Sequence, residues 1–155
     1  LLLVRRLRPW SGNTAKRLVR SPKLWVRDSG ILHTLLELRT LHDVVGHPVA
    51  GPSWEGFAIE SLVAAAGEGR APYFYRTADG AEIDLVFERG GRVEVAIEIK
   101  RSTAPEVSRG FHLACADLAV PERFVVHGGP DEWPLPQGVT AISLPGLVNR
   151  LRASA

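Results

Sequence analysis

Two apolar runs meet at Gly90-Gly91 in the stretch AEIDLVFERGGRVEVAIEIKRS, residues 81–102, and both read as β-strands. Ile83, Leu85 and Phe87 on the first, and Val93, Val95, Ile97 and Ile99 on the second, are all odd-numbered. Side chains along a strand alternate between faces. To bury one common face, opposed residues must sum to an even number. A two-residue Gly90-Gly91 turn gives an odd sum, so the spacing predicts a loop of about three or five residues with glycine at a positive-φ position. The same parity gathers Glu82, Asp84, Glu94, Ala96, Glu98 and Lys100 on the other face. Asp84 then lies opposite or diagonal to Glu98. Glu98 and Lys100 project the same way, roughly 6–7 Å apart along the backbone.

Spacing alone leaves two readings of that charged face. One is a solvated face with mixed charges. The other is a metal site, because two carboxylates held close together repel unless something positive lies between them. A hard cation such as Mg²⁺ or Mn²⁺ takes oxygen ligands. Carboxylates beside a lysine suit metal-assisted phosphodiester hydrolysis, with Asp84 and Glu98 on the metal and Lys100 offsetting developing charge. Glu55 and Glu60, in WEGFAIE ahead of the hairpin, offer a further acid. They are five apart on a helical pattern, so only one is expected to face the site, as a third ligand or a partner for Lys100. Glu82 is an additional acid on the same face.

The rest of the chain sets the frame. LLLVRRLRPW and KLWVRDSG are strand-like, with Asp28-Ser29-Gly30 as a turn or helix cap, and ILHTLLELRTLHDVV has apolar residues at helical spacing. GHPVAGPS punctuates the chain, and a boundary is placed near Gly51, dividing a basic connecting segment, 1–50, from a domain over 51–155. Ser53 is the expected N-cap of the next helix, whose Trp54, Phe57, Ala58, Leu62 and Ala65 should face the core, with Gly67 and Gly69 ending it. PYFYRT is a strand, EVSRGFHLACADLAV a helix, RFVVHGG and GVTAISL strands, and PGLVNRL a last short helix. The order helix, three strands, helix, strand implies an α/β or α+β fold, a mixed sheet flanked by helices.

Charge is unevenly placed. Residues 1–27 hold eight basic groups, Arg5, Arg6, Arg8, Lys16, Arg17, Arg20, Lys23 and Arg27, and no acid; the remainder holds 11 basic and 17 acidic groups, net −6. Such asymmetry leaves two readings, a nucleic-acid or acidic-partner surface and a solvated basic edge. Lys16, Arg17, Arg76 and Arg101 are the candidate nucleic-acid contacts. Tyr73, Phe74 and Tyr75, with Trp10 and Trp25, offer stacking surfaces for bases, with core packing as the commoner use. A single cysteine, Cys115, excludes an intrachain disulfide and a cysteine-rich zinc site, fits a reducing, cytoplasmic compartment, and is expected in the core. The five histidines form no HExxH-like pair. Apolar runs are too short to span a bilayer. The chain has no methionine and begins LLLV, which suggests a piece of a longer protein.

Asp84, Glu98-x-Lys100 and a preceding-helix glutamate resemble the PD-(D/E)XK nuclease superfamily, whose core order matches Gly51 to Gly128. The resemblance implies a divalent-metal site at Glu55 (Glu60 less so), Asp84 and Glu98, with Lys100 completing it, and cleavage of nucleic acid. Ile83 stands where the superfamily's namesake proline precedes the aspartate. LRPWSGNTAKR, SPKLWVRDSGIL, WEGFAIESL, YRTADGAEIDLV and IEIKRS resemble the C-terminal domain of bacterial and archaeal AAA-type ATPases known as domain of unknown function 4143. In that family an ATPase module comes first. No G-x(4)-G-K-S/T occurs here, so ATP belongs to the missing module. The first 50 residues resemble the region joining the two modules, for which a winged-helix-like remnant is one form. The implied partners are DNA and the ATPase module, with a homo-oligomer as a further option and no membrane. The implied alternative to a nuclease is a catalytically inactive nucleic-acid- or protein-binding regulatory module.

Overall fold

A computed structural model describes residues 3–12 and 18–155. A two-stranded ribbon comes first, β1 (Val4–Leu7) against β2 (Lys23–Val26), antiparallel. Two short helices follow, α1 (Ser29–Leu35) and α2 (Leu41–Gly46), then the long helix α3 (Ala50–Ala66). The six-stranded sheet comprises β3 (Ala71–Arg76), β4 (Glu82–Arg89), β5 (Arg92–Ile99), β6 (Glu122–His127), β7 (Trp133–Leu135) and β8 (Val139–Ser143). Helix α4 (Arg109–Asp117) joins β5 to β6, and α5 (Leu144–Ala153) closes the described fold. The sheet order is β3-β4-β5-β6-β8-β7. β3, β4 and β5 form an antiparallel meander, β5, β6 and β8 run parallel, and β7 returns antiparallel on β8. The fold is therefore a mixed α/β sheet flanked by helices.

Local chemistry corrects several expected elements. The helical spacing over 31–45 is divided between two helices. Glu37 takes a positive φ of 58°, and Thr40 starts α2 with a reciprocal capping box to Asp43. Ser53 does not cap α3. The helix begins at Ala50, and the buried Ser53 hydroxyl pairs with His33 Nε2 at 2.7 Å. Phe57, expected in the core, is 48% exposed, because that helix side faces α1 and α2 only loosely. β7 went unread, since Trp133-Pro134-Leu135 is too short to show a period. Cys115 is buried as expected, and burial pushes its thiol up to about 12.

Both sheet faces are covered. On one side α3 and α5 pack over Phe74, Leu85, Phe87, Val95, Ile97 and Ile99. On the other, Phe111, Ala114 and Cys115 of α4 pack over Tyr75, Ile83, Val86, Val93 and Ala96. The single apolar parity of the hairpin is thus broken at Ile83 and Val93. Two irregularities are responsible. The turn has two residues, Gly90 and Gly91, and its odd sum holds for Glu88↔Val93 and Arg89↔Arg92. A bulge then restores the even sum at Phe87↔Val95 and onward to Leu85↔Ile97. The expected longer loop is replaced by a tight turn plus a bulge. A second register shift between Tyr73 and Tyr75 puts Ile83 with Tyr75 on the α4 side.

Both turn glycines have positive φ, 60° at Gly90 and 81° at Gly91, the signature of a type I′ hairpin. Gly90→Ala/Gly91→Ala is expected to cost about 2–4 kcal/mol, since each left-handed position penalises a Cβ by roughly 1–2 kcal/mol. Gly90→Asn, which tolerates that region, should cost no more than about 0.5 kcal/mol. Urea unfolding of the three proteins checks this.

The N-terminal segment is built into the sheet. Trp10 N–H donates to the Phe74 carbonyl at 2.7 Å, and Phe74 N–H donates to the Arg8 carbonyl at 3.1 Å. Val19 N–H donates to the Arg76 carbonyl at 3.0 Å. These contacts occupy the otherwise open edge of β3. Leu7 and Trp10 are buried in the two cores, and the Trp10 indole donates to Glu88 at 2.7 Å.

Candidate functional site

Opposed residues of an antiparallel ribbon share a face. Arg5↔Trp25 and Leu7↔Lys23 therefore point together, and Val4↔Val26 and Arg6↔Leu24 point the other way. The first set faces the body of the protein. Trp25 lies over α3 at Gly56, where an added Cβ would stand 2.9 Å from the indole ring. Close seating of this kind admits only glycine. Lys23 reaches past Phe74, its ammonium 5.6 Å from the ring centroid, into a group of carboxylates.

That group is the centre of the site. The Lys23 ammonium is 3.0 Å from Glu55 Oε1, 3.3 Å from Asp84 Oδ1 and 3.4 Å from Glu82 Oε1. Arg76 also pairs with Glu82. The second Asp84 oxygen accepts the Ile99 N–H at 3.0 Å. Burial holds the Asp84 carboxyl above the usual carboxylate range; Lys23 opposes this, and Glu55 and Glu82 add to it. Burial also works against the Lys23 charge, but Asp84, Glu55 and Glu82 outweigh it and raise its pKa. Glu82 is lowered, because Arg76 and Lys23 overcome its desolvation.

Glu60, one turn and a half further along α3, takes a different pair of cations. Arg5 Nη2 donates to it at 2.9 Å and Arg27 Nε at 2.8 Å. These two guanidiniums hold Glu60 below the usual range in spite of its burial. Of the two α3 acids, Glu55 faces the hairpin and Glu60 does not.

Glu98 and Lys100 form a separate pair. Glu98 is buried, its carboxylate 2.9 Å from the Lys100 ammonium and accepting the Ser108 N–H at 3.1 Å. Ser108 caps α4. Glu98 therefore lies on the α4 side, opposite to its strand neighbours Ile97 and Ile99 in the α3-side core. Asp84 engages Lys23 and Glu55 on the α3 side. Paired strands begin at Leu85↔Ile97, one step short of setting Asp84 against Glu98. The register shift between β3 and β4 turns this end of β4 toward α3. The expected sharing of a ligand by Asp84 and Glu98 is thus not the arrangement of these side chains. Glu55 partners Lys23 rather than Lys100.

Among the described residues, no group of three or more His, Cys, Asp or Glu side chains is arranged to hold a metal ion. Glu55, Asp84 and Glu98 as placed do not fit Mg²⁺ or Mn²⁺: two of them close on an ammonium, and the third is engaged elsewhere.

The candidate nucleic-acid contacts are scattered. Arg101 is exposed, Arg76 is committed to Glu82, and Lys16 and Arg17 lie outside the described residues. Phe74, Tyr75 and Trp10 are core residues. Lys23 is the residue of the candidate site that sequence reasoning missed. Its signal was available: in KLWV it shares strand parity with Trp25, so a partly buried tryptophan carries the lysine inward with it. No helix among the described residues is long and apolar enough to cross a membrane.

An uncharacterized protein of Mycobacterium bovis and one of Mycobacterium tuberculosis are each 40% identical to the chain over 141 residues, 91% of this chain and 32% of the relative. The chain thus spans about a third of the length of these relatives. No solved structure matches it. Residues 1–42 match a domain of unknown function, DUF8612. Residues 50–147, from the start of α3 through β8 into α5, match the domain of unknown function DUF4143, and the chain belongs to that family.

Proposed function

We propose that this chain is a nucleic-acid-binding regulatory module of an AAA-type ATPase, with a PD-(D/E)XK nuclease-like fold and without cleavage activity. One observation carries the reading. The Lys23 ammonium sits 3.0–3.4 Å from three carboxylates, Glu55, Asp84 and Glu82, while Glu98 and Lys100 satisfy each other. A cluster neutralised from within the chain is a structural device, and the acids that cleavage would need together are apart. The nuclease likeness rests on the helix, three-strand, helix, strand order. Nucleic-acid binding rests on Arg6, Arg8, Arg20 and Arg101, all exposed.

Incubation of supercoiled plasmid with the protein and Mg²⁺ or Mn²⁺ tests the reading. The expected result is intact plasmid with the wild type and with Asp84→Ala alike. Metal-dependent cleavage that Asp84→Ala or Lys100→Ala abolishes would overturn it in favour of a metal-dependent nuclease.

A further inference from the structure

Helices α1 and α2, of seven and six residues, bury no side chain, although Ile, Leu and Val make up half of each or nearly so. Helices well short of about 12–15 residues are marginal in water and draw their stability from packing an apolar face. Leu41 and Val45 of α2 are 78% and 55% exposed, and Phe57 of α3 lines one cavity with them. That cavity, of about 330 Å³, shares the Trp54 and Phe57 rings with a second, of about 910 Å³. The first continues over α2, the second over Leu144 and Val148 of α5. The Trp54 indole is fixed, its N–H donating to the Lys100 carbonyl at 3.1 Å, with the Phe57 ring 6.2 Å away. A fixed aromatic pair inside a continuous apolar surface is the anchor type of a protein interface.

Charge narrows what lies on it. Arg101 lines the smaller cavity and Arg152 the larger, and neither lining holds an acid. Both arginines are exposed and without an ion-pair partner among the described residues. The acids on the remaining side of Phe57 are engaged: Asp28 caps α1, and Glu60 holds Arg5 and Arg27. A second copy seated on this patch about a two-fold axis would bring arginine toward arginine. The mycobacterial relatives extend far beyond the matched stretch, which is 32% of their length. We propose that the groove over Trp54 and Phe57 receives an acidic amphipathic segment from the remainder of the longer protein. Its apolar side chains pack between α2 and α5, and its carboxylates meet Arg101 and Arg152. The proposal goes beyond the nucleic-acid reading: it claims Arg101 alone of that reading's cations, and it stands or falls without DNA.

Thiol access in the full-length protein that carries this chain reads the cover. Leu41→Cys puts a thiol at the smaller cavity and Ala64→Cys at the larger. Ala78→Cys, exposed in the turn between β3 and β4, is the reference, and Cys115 is buried. Labelling by iodoacetamide is followed peptide by peptide by mass spectrometry. A tethered segment acts at millimolar effective concentration, so even a weak contact is closed about tenfold over open. Leu41→Cys and Ala64→Cys should therefore label at least about tenfold more slowly than Ala78→Cys. The protection should survive dilution. Arg101→Glu/Arg152→Glu, which alters two exposed side chains, should return both thiols to the reference rate, while Arg101→Lys/Arg152→Lys keeps them protected.

Equal labelling at all three positions would overturn the proposal, since nothing would then cover the groove. Protection that disappears on dilution would overturn it in favour of a second copy. Protection that Arg101→Glu/Arg152→Glu leaves intact would overturn the acidic chemistry of the occupant. None of these outcomes bears on DNA binding or on the plasmid assay.

Discussion

Lys23→Met is expected to destabilise the protein by about 2 kcal/mol, with most of the loss returning in Lys23→Met/Asp84→Asn. Removing one member of a fully buried ion pair costs about 3–5 kcal/mol, and of an exposed pair about 0–1. Lys23 and Asp84 lie between those limits, each with a side chain 18% exposed, and Glu55 and Glu82 are about a third exposed. Without the ammonium, three carboxylates face one another, with Arg76, on Glu82, in opposition among the described residues. Asp84 is the acid whose relief matters most. Burial already disfavours its charge, and Glu55 and Glu82 add repulsion. An asparagine there keeps an acceptor for the Ile99 N–H and carries no charge. Asp84→Asn alone should thus be near neutral, while its effect in the Lys23→Met background is clearly stabilising. A double-mutant cycle by urea unfolding reads this coupling. Additive effects would mean that Lys23 and Asp84 are separately solvated and that the ribbon does not close the cluster.

The sheet, its helices and its class were legible because they follow from periodicity. Strand alternation in IDLVFE and RVEVAIEIK, glycine at the ends of α3, and the charged-apolar pattern of α4 all act within a few residues of themselves. The candidate site was less legible because it depends on register. A strict alternation puts Asp84 and Glu98 on one face, and a bulge of one residue sends them to different sides. Nothing local in Ile83-Asp84-Leu85, where two residues oppose Phe74, announces that bulge. The charge asymmetry was read in the right place with an incomplete meaning. Basic residues 5, 23 and 27 and acidic residues 55, 60, 82 and 84 balance across long sequence separations, and only the fold reveals that they meet. Lys23 illustrates the difference. Its parity with Trp25 could be read from the chain, but its partners could not.

Gly110→Val is expected to destabilise the protein by about 3 kcal/mol, the upper range for forcing extra atoms into a packed contact. A Cβ at Gly110 would stand 2.6 Å from the Gly80 carbonyl oxygen. That oxygen belongs to a turn held on both sides: Thr77 N–H donates to the Ala81 carbonyl at 2.9 Å, and Ala81 N–H to the Thr77 hydroxyl at 3.1 Å. The turn cannot yield cheaply, so α4 must lift. Its first turn carries Phe111, fully buried, and Ser108, whose N–H holds Glu98. The substitution should therefore expose the Ser108 amide to exchange and loosen Glu98 from the α4 side, while the Lys23 cluster across the sheet is undisturbed. Gly51→Ala is the matched control, since a Cβ there meets nothing within 4 Å and stability should hold or rise slightly. Hydrogen exchange separates the two halves of the site. Faster exchange at Ser108 with unchanged protection of Ile99 N–H, which Asp84 accepts, would establish that Glu98 and Asp84 are held by independent elements. Equal loss at both amides would instead make α4 and the hairpin end one cooperative unit.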